Sequence, residues 1–186
     1  MHGESGYERK AHDSYETEPA ATQALLQAVS LRGRLWEPAC GSGKMARVLS
    51  AAGHAVLSTD LYDYEFGEPG HDFLQAQTLP DNVGTIVTNP PYADDAAERF
   101  VVQALRLTKP GGMVAMLLRQ EFDCASGRNG LFTHPAFHLK LVLTFRPRWT
   151  DEKKASPRHN YAWYVWDWSR LLSPPALLYG GRPSHG

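Results

Sequence analysis

The residues best arranged for chemistry in this chain are Asn89, Pro90, Pro91 and Tyr92, which follow the apolar stretch Thr85-Ile86-Val87-Thr88. An NH2 group conjugated to a ring or a carbonyl is a poor nucleophile, because its lone pair is delocalised. Two acceptors drawing on its two N–H bonds favour a pyramidal nitrogen whose lone pair can attack. Asn89 supplies one acceptor through its side-chain oxygen, and the Pro90 carbonyl supplies the other. Pro91 restricts Pro90 to an extended backbone and fixes its own φ, so the two oxygens converge without later reorganisation. Tyr92 offers a ring to a flat substrate, worth ~1–3 kcal/mol if a base stacks on it. The plain structural alternative is a rigid strand-to-helix loop, with Asp94 or Asp95 capping the next helix.

A second constellation lies upstream. Gly41, Gly43 and Ala46 fit G-x-G-x-x-A between a β-prone segment and a helical one. Glycine there permits a tight turn and lets a ligand approach the main chain, with helix N–H groups facing it. Asp60 ends the next β-prone segment and can accept hydrogen bonds from two ribose hydroxyls. Any tight strand-to-helix turn favours glycine, so the fingerprint gains its meaning from its placement. A phosphate loop of the Walker type is excluded, since Pro38 stands where its first glycine belongs and Met45 where Ser or Thr must follow Lys44. A dinucleotide-binding module of the NAD type stays open on the glycines alone.

The elements that position these residues alternate. Thr17 or Glu18 as cap, Pro19 at the first helical position and apolar residues at helical spacing predict a helix running on to a stop at Gly33. Residues 34–37 read as a buried strand, 44–52 as a helix ended by Gly53, and 54–59 as a second strand. Strand, glycine turn, helix and strand make a right-handed βαβ unit. Further along, 83–88 reads as a strand, 93–108 as a helix and 113–118 as an apolar strand, with a last pair of strands at 139–145 and 161–166. The expected fold is α/β: a Rossmann-like, doubly wound, mostly parallel sheet with an antiparallel last strand, whose ligands sit at the carboxyl ends of its strands. The aromatic run Tyr161, Trp163, Tyr164, Trp166 and Trp168 reads mainly as core packing. Residues 1–14 are expected as a flexible arm, 15–168 as the domain and 169–186, with its Pro-Pro and Gly-Gly, as a loose tail.

Composition narrows the function classes. The 186 residues are 42% apolar and 21% charged, with a net charge of −1. One domain fits that length. A general polyanion-binding surface is not written into the totals, so nucleic-acid affinity must come from a local patch. No run approaches the ~20 apolar residues of a membrane span, and the start lacks the pattern of a signal peptide. The two cysteines, Cys40 and Cys124, lack metal-type spacing and read as reduced thiols of a cytoplasmic protein. His134 and His138 lack a carboxylate motif, so no metal site is expected.

Glu37-Pro38-Ala39-Cys40-Gly41-Ser42-Gly43, Asp60 and Asn89-Pro90-Pro91-Tyr92 together resemble the class I S-adenosylmethionine-dependent methyltransferases of the amino-methylating branch. Within it the chain is most similar to small phage-type adenine-N6 DNA methyltransferases, from about Tyr15 to Trp168. The resemblance implies S-adenosylmethionine as cofactor. It gives the methionine part to Glu37, Ala39, Gly41 and Gly43, the ribose to Asp60 and the adenine face to Leu61. His71-Asp72-Phe73 looks like the family's next motif, with Asp72 on the cofactor's adenine amine and Phe73 packed beside it. Tyr15-Glu16-Thr17-Glu18-Pro19 resembles the motif that wraps the methionine end, which assigns Tyr15 and Thr17. Asn89 borders both cofactor and acceptor, and Asn89, Pro90, Pro91 and Tyr92 form the catalytic loop.

The acceptor is less firmly written. Arg146, Arg148, Lys153, Lys154 and Arg158 give five positive charges within thirteen residues. They read either as a phosphate-contacting loop or as a solvated hairpin of mixed charge. Arg119 follows a strand end and is a further candidate for the substrate side. The favoured acceptor is adenine N6 in DNA, which must swing out of the stack. RNA adenine and a protein glutamine amide present the same conjugated nitrogen. Larger sequence-specific methyltransferases carry a separate target-reading segment, and no stretch of these residues is long enough for one; the expectation is low specificity, or specificity from the 121–137 and 146–160 loops, or from a second subunit.

Overall fold

The computed structural model describes residues 16–108, 110–148, 159–171 and 173–183. The expected arm over 1–14 and the candidate residues Tyr15, Lys153, Lys154 and Arg158 lie outside the described residues.

Helix α1 (Pro19–Ala28) begins with proline at its first position, where the ring presets φ and the missing N–H costs nothing. It buries Ala20, Ala21, Ala24 and Leu25, then stops as Val29 turns extended. Gly33 is therefore not the helix stop. It adopts φ +65, and a Cβ there would lie 3.1 Å from the Gly84 Cα. The two glycines let the chain entering β1 (Arg34–Glu37) cross against β3 (Val83–Thr88).

After β1 come α2 (Lys44–Ala51) and β2 (Val56–Ser58), shorter than the strand expected over 54–59. Beyond β3, α3 (Ala96–Leu107) leads to β4 (Met113–Arg119), a one-turn helix α4 (Asn129–Phe132), β5 (Phe137–Leu143), β6 (Tyr161–Asp167) and β7 (Ala176–Gly180). The strands form one sheet in the order β2-β1-β3-β4-β6-β5-β7. β6 runs antiparallel to both neighbours and the other six strands share one direction. This is the expected Rossmann-like sheet, with a strand added after the antiparallel one.

That added strand corrects the reading of 169–186 as loose. Leu177, Leu178 and Tyr179 are all exposed, so β7 is held by its parallel ladder to β5 rather than by burial. An ion pair from Arg182 to Glu18, with the guanidinium stacked on Phe145, fastens the chain just beyond it.

Both faces of the sheet are covered, and the central strands alternate between two cores. Along β4, Met113, Ala115 and Leu117 face the cluster built on α1 and α2, while Val114, Met116 and Leu118 face the cluster built on α3. Trp163, Tyr164 and Trp166 of β6 are fully buried, as the aromatic run predicts. Each indole N–H is satisfied, Trp163 by the Ala21 carbonyl at 2.8 Å and Trp166 by the Leu131 carbonyl at 2.9 Å.

The chain leaves β1 toward β2 on one side and returns to β3 on the other. The crevice between the carboxyl ends of β1 and β3 is therefore the switch point where open α/β sheets bind ligands. The glycine turn and Asn89 stand on its two sides.

Candidate active site

Glu37 ends β1 and is 2% exposed. Burial pushes its carboxyl well above the usual range; the Ala46 amide in the first turn of α2 opposes that shift, and the nearby Asp60 charge adds to it. Its Oε2 is buried without a hydrogen-bond partner. A buried acceptor left open at a helix start calls for a donor from a ligand or water.

The turn that follows bends through left-handed backbone at Gly41, φ +51, and Gly43, φ +81. At Gly43 a Cβ would sit 2.3 Å from the Phe66 ring, so only glycine admits that ring. Phe66 also lies 4.6 Å beneath the Arg47 guanidinium. The sequence reading gave no role to Phe66, and only the folded loop reveals it. Cys40, beside the turn, is buried, and desolvation together with Glu37 and Asp60 pushes its thiol up to about 12.

Asp60 braces the same turn. Its Oδ2 accepts the Gly41 amide at 2.9 Å and its Oδ1 accepts the Tyr62 amide at 3.1 Å. Each carboxylate oxygen has a second lone pair, so capacity for a ribose hydroxyl is kept. Leu61, next to it, is 49% exposed.

Asp72 spends Oδ1 on the Leu74 amide at 2.9 Å, capping the short turn Phe73–Gln75 instead of reaching outward with that oxygen. Phe73 is buried between Trp36 and Phe100, with ring centroids 5.2 and 4.9 Å away. Its ring joins the core on that face of the sheet.

The segment before α1 closes the glycine turn from outside. Glu16 accepts from the Ser42 hydroxyl at 2.6 Å and pairs with Lys44 at 2.7 Å, which brings the buried Thr17 beside the turn. Glu16 had no assigned role; its partners are 26 and 28 residues away, beyond any local pattern.

Asn89 caps the carboxyl end of β3 at 8% exposure, with Pro90 also buried behind it. The Tyr92 hydroxyl bonds to Asn89 Oδ1 and lies 2.7 Å from the Leu117 carbonyl. The Tyr92 ring packs against Tyr161, centroids 5.8 Å apart. The ring itself is half-buried. Asp95 takes the N-cap position of α3 and makes no side-chain cap bond.

Arg119 ends β4 at the same sheet edge, its guanidinium 2.7 Å from His159 Nδ1. Arg146 and Arg148 follow β5 there and are exposed. The Arg146 guanidinium donates to the Asn160 side chain, and the Arg148 amide donates to Glu18 at 2.8 Å. His134 and His138 stand at the start of β5, the opposite edge. Among the described residues no cluster of His, Cys, Asp and Glu could hold a metal, and no helix is long and apolar enough to cross a membrane.

No protein-family model matches the sequence, and no curated protein matches it. Solved structures do. A candidate class I S-adenosylmethionine-dependent methyltransferase from Listeria monocytogenes aligns with a TM-score of 0.64 at 16% identity, over 94% of this chain and 68% of the other. The fold is that of the class I S-adenosylmethionine-dependent methyltransferases. A candidate RNA methyltransferase from Pyrococcus horikoshii shares it at 0.57 and 13% identity, over 80% of each chain. A modification subunit of a candidate type I restriction enzyme from Vibrio vulnificus shares it at 0.53 and 16% identity, over 95% of this chain and 49% of the other.

Proposed function

We propose that the chain is an S-adenosylmethionine-dependent N-methyltransferase whose acceptor is a planar conjugated amine, adenine N6 in DNA. The observation that carries the reading is the placement of Asn89: an amide carbonyl held at the carboxyl end of β3, across the switch-point crevice from the glycine turn. An NAD-type module would explain the turn and Asp60 but leaves that amide and its two prolines without a task.

The residues around the turn fit the cofactor. The open, buried Oε2 of Glu37 suits an ammonium donor, and the left-handed glycines expose backbone to a close ligand. Thr17, Ala39, Gly41 and Gly43 would line the methionine end, with Asp60 on the ribose and Leu61 on the adenine. Tyr15 and Asp72 complete the set by resemblance, Asp72 through its remaining oxygen. When bound, S-adenosylmethionine supplies an electrophilic methyl group on a positively charged sulfur.

The chain's own work is on the acceptor. Asn89 Oδ1 and the Pro90 carbonyl take hydrogen bonds from the two N–H bonds of the amine and localise its lone pair. The two prolines hold that geometry in advance. No strong base is required, because the nitrogen can shed its proton to water after the new bond forms.

Exposed Arg146 and Arg148, with Arg119 near them, favour a phosphate-bearing acceptor, and Lys153, Lys154 and Arg158 belong to the same stretch of sequence. Two proteins of the same fold, described as an RNA methyltransferase and a restriction-modification subunit, support a nucleic-acid acceptor. Labelled methyl donor offered with duplex DNA, single-stranded DNA, transfer RNA and extract protein tests the reading. Label in adenine of DNA is expected. Label in RNA adenine or a glutamine amide moves the acceptor and keeps the chemistry; label nowhere, with NAD bound in place of S-adenosylmethionine, overturns it.

A further inference from the structure

We infer that the Tyr92 hydroxyl is the positioning group for Asn89: it holds the amide carbonyl in place while the site is empty and hands it over to the acceptor amine. The inference rests on the amine-methylating reading and assigns Tyr92 a task different from base stacking.

The geometry is specific. β3 and β4 pair as far as Thr88 and Met116, and β4 then runs on to Arg119. The Leu117 carbonyl, just past the end of that ladder, is taken by the Tyr92 hydroxyl at 2.7 Å. The same hydroxyl bonds to Asn89 Oδ1, while the ring is packed against Tyr161. One tyrosine thus ties the catalytic loop to the neighbouring strand.

A phenol carries one proton, and Asn89 Oδ1 and the Leu117 carbonyl are both acceptors. The proton can serve either. In the empty site it bonds to the buried Asn89 oxygen. When an amine N–H reaches Oδ1, the phenol proton settles on Leu117 and no buried group is left unpaired. Asn89 is therefore aligned beforehand and released at almost no cost. A ring without the hydroxyl would pack as well but would lose this bond to the amide oxygen.

Tyr92→Phe tests this in the full chain, since it keeps the ring beside Tyr161. With S-adenosylmethionine and a short adenine-containing DNA duplex, kcat should fall about tenfold while KM for DNA stays within about twofold. A readout that needs no acceptor is the Asn89 side-chain amide resonance, assigned by its loss in Asn89→Ala. In Tyr92→Phe it should shift, and its amide protons should exchange faster than in the wild type. Unchanged Asn89 resonances, or a raised KM with kcat intact, would overturn the inference and return Tyr92 to direct contact with the base. If the wild type leaves the duplex unmethylated, the DNA-adenine reading falls separately, and the resonances still decide whether Tyr92 holds Asn89.

Discussion

Asp60 Oδ2 accepts the Gly41 amide at 2.9 Å, so the acid after β2 holds the turn after β1. A residue expected to meet the cofactor also shapes the loop that meets it. The bond is charge-assisted and nearly shielded from water, with Asp60 7% exposed, and such bonds are roughly twice as strong as neutral ones.

Asp60→Ala should therefore weaken S-adenosylmethionine binding beyond the loss of a ribose contact, by about 10- to 150-fold, because about 1.5–3 kcal/mol of loop bracing goes with it. Asp60→Asn keeps one acceptor oxygen for the Gly41 amide and should lie between. Calorimetric titration of the three proteins checks the order. Equal affinities would remove Asp60 from both roles.

Glu37 gives a prediction in pH. Its folded-state pKa is raised by burial, so between the ordinary glutamate value of about 4.3 and that raised value the folded chain binds more protons than the unfolded one. Stability must fall as pH rises through that window. Glu37→Gln removes the penalty: its melting temperature relative to wild type should climb from pH 4 upward in the cofactor-free protein. S-adenosylmethionine binding should weaken in the same variant, the usual opposition between stability and function. A melting difference that is flat with pH would show that the carboxyl is not held proton-bound by the fold.

The basic edge is tested by salt. Arg146→Ala and Arg148→Ala should each weaken DNA binding and lower the slope of log K against log salt by about 1, if each contacts one phosphate. Fluorescence anisotropy between 50 and 200 mM salt, as ~3–4 concentrations, measures it. Slopes identical to wild type would make these arginines solvated surface.

What could be read from the sequence follows from what is local. Pro19 at a helix start, glycines at positive φ after β1 and the aromatic β6 all declare themselves within a few residues, and the fold honours them. Strand β7 does not, because its stability comes from a ladder to β5 and its apolar side chains stay exposed. Asp72 and Phe73 fit a motif by type, while the cap on Leu74 and the packing on Trp36 and Phe100 come only with the fold. Glu16 on Ser42, Phe66 on Gly43 and Tyr92 on Leu117 are pairings between distant segments, decided only when the sheet assembles. Asn89 can be nominated from sequence because the chemistry proposed for it depends on its immediate neighbours.

The most direct test of that chemistry is Asn89→Ala, measured for methyl transfer and for S-adenosylmethionine affinity in the same preparation. Removing one preorganised polarising group costs about 10²–10³ in kcat, while the contacts proposed for the cofactor lie mostly across the crevice. Turnover should drop at least a hundredfold with cofactor Kd changed by no more than about threefold. Turnover that survives, or affinity and turnover lost in parallel, would contradict a role for residue 89 in activating the acceptor amine.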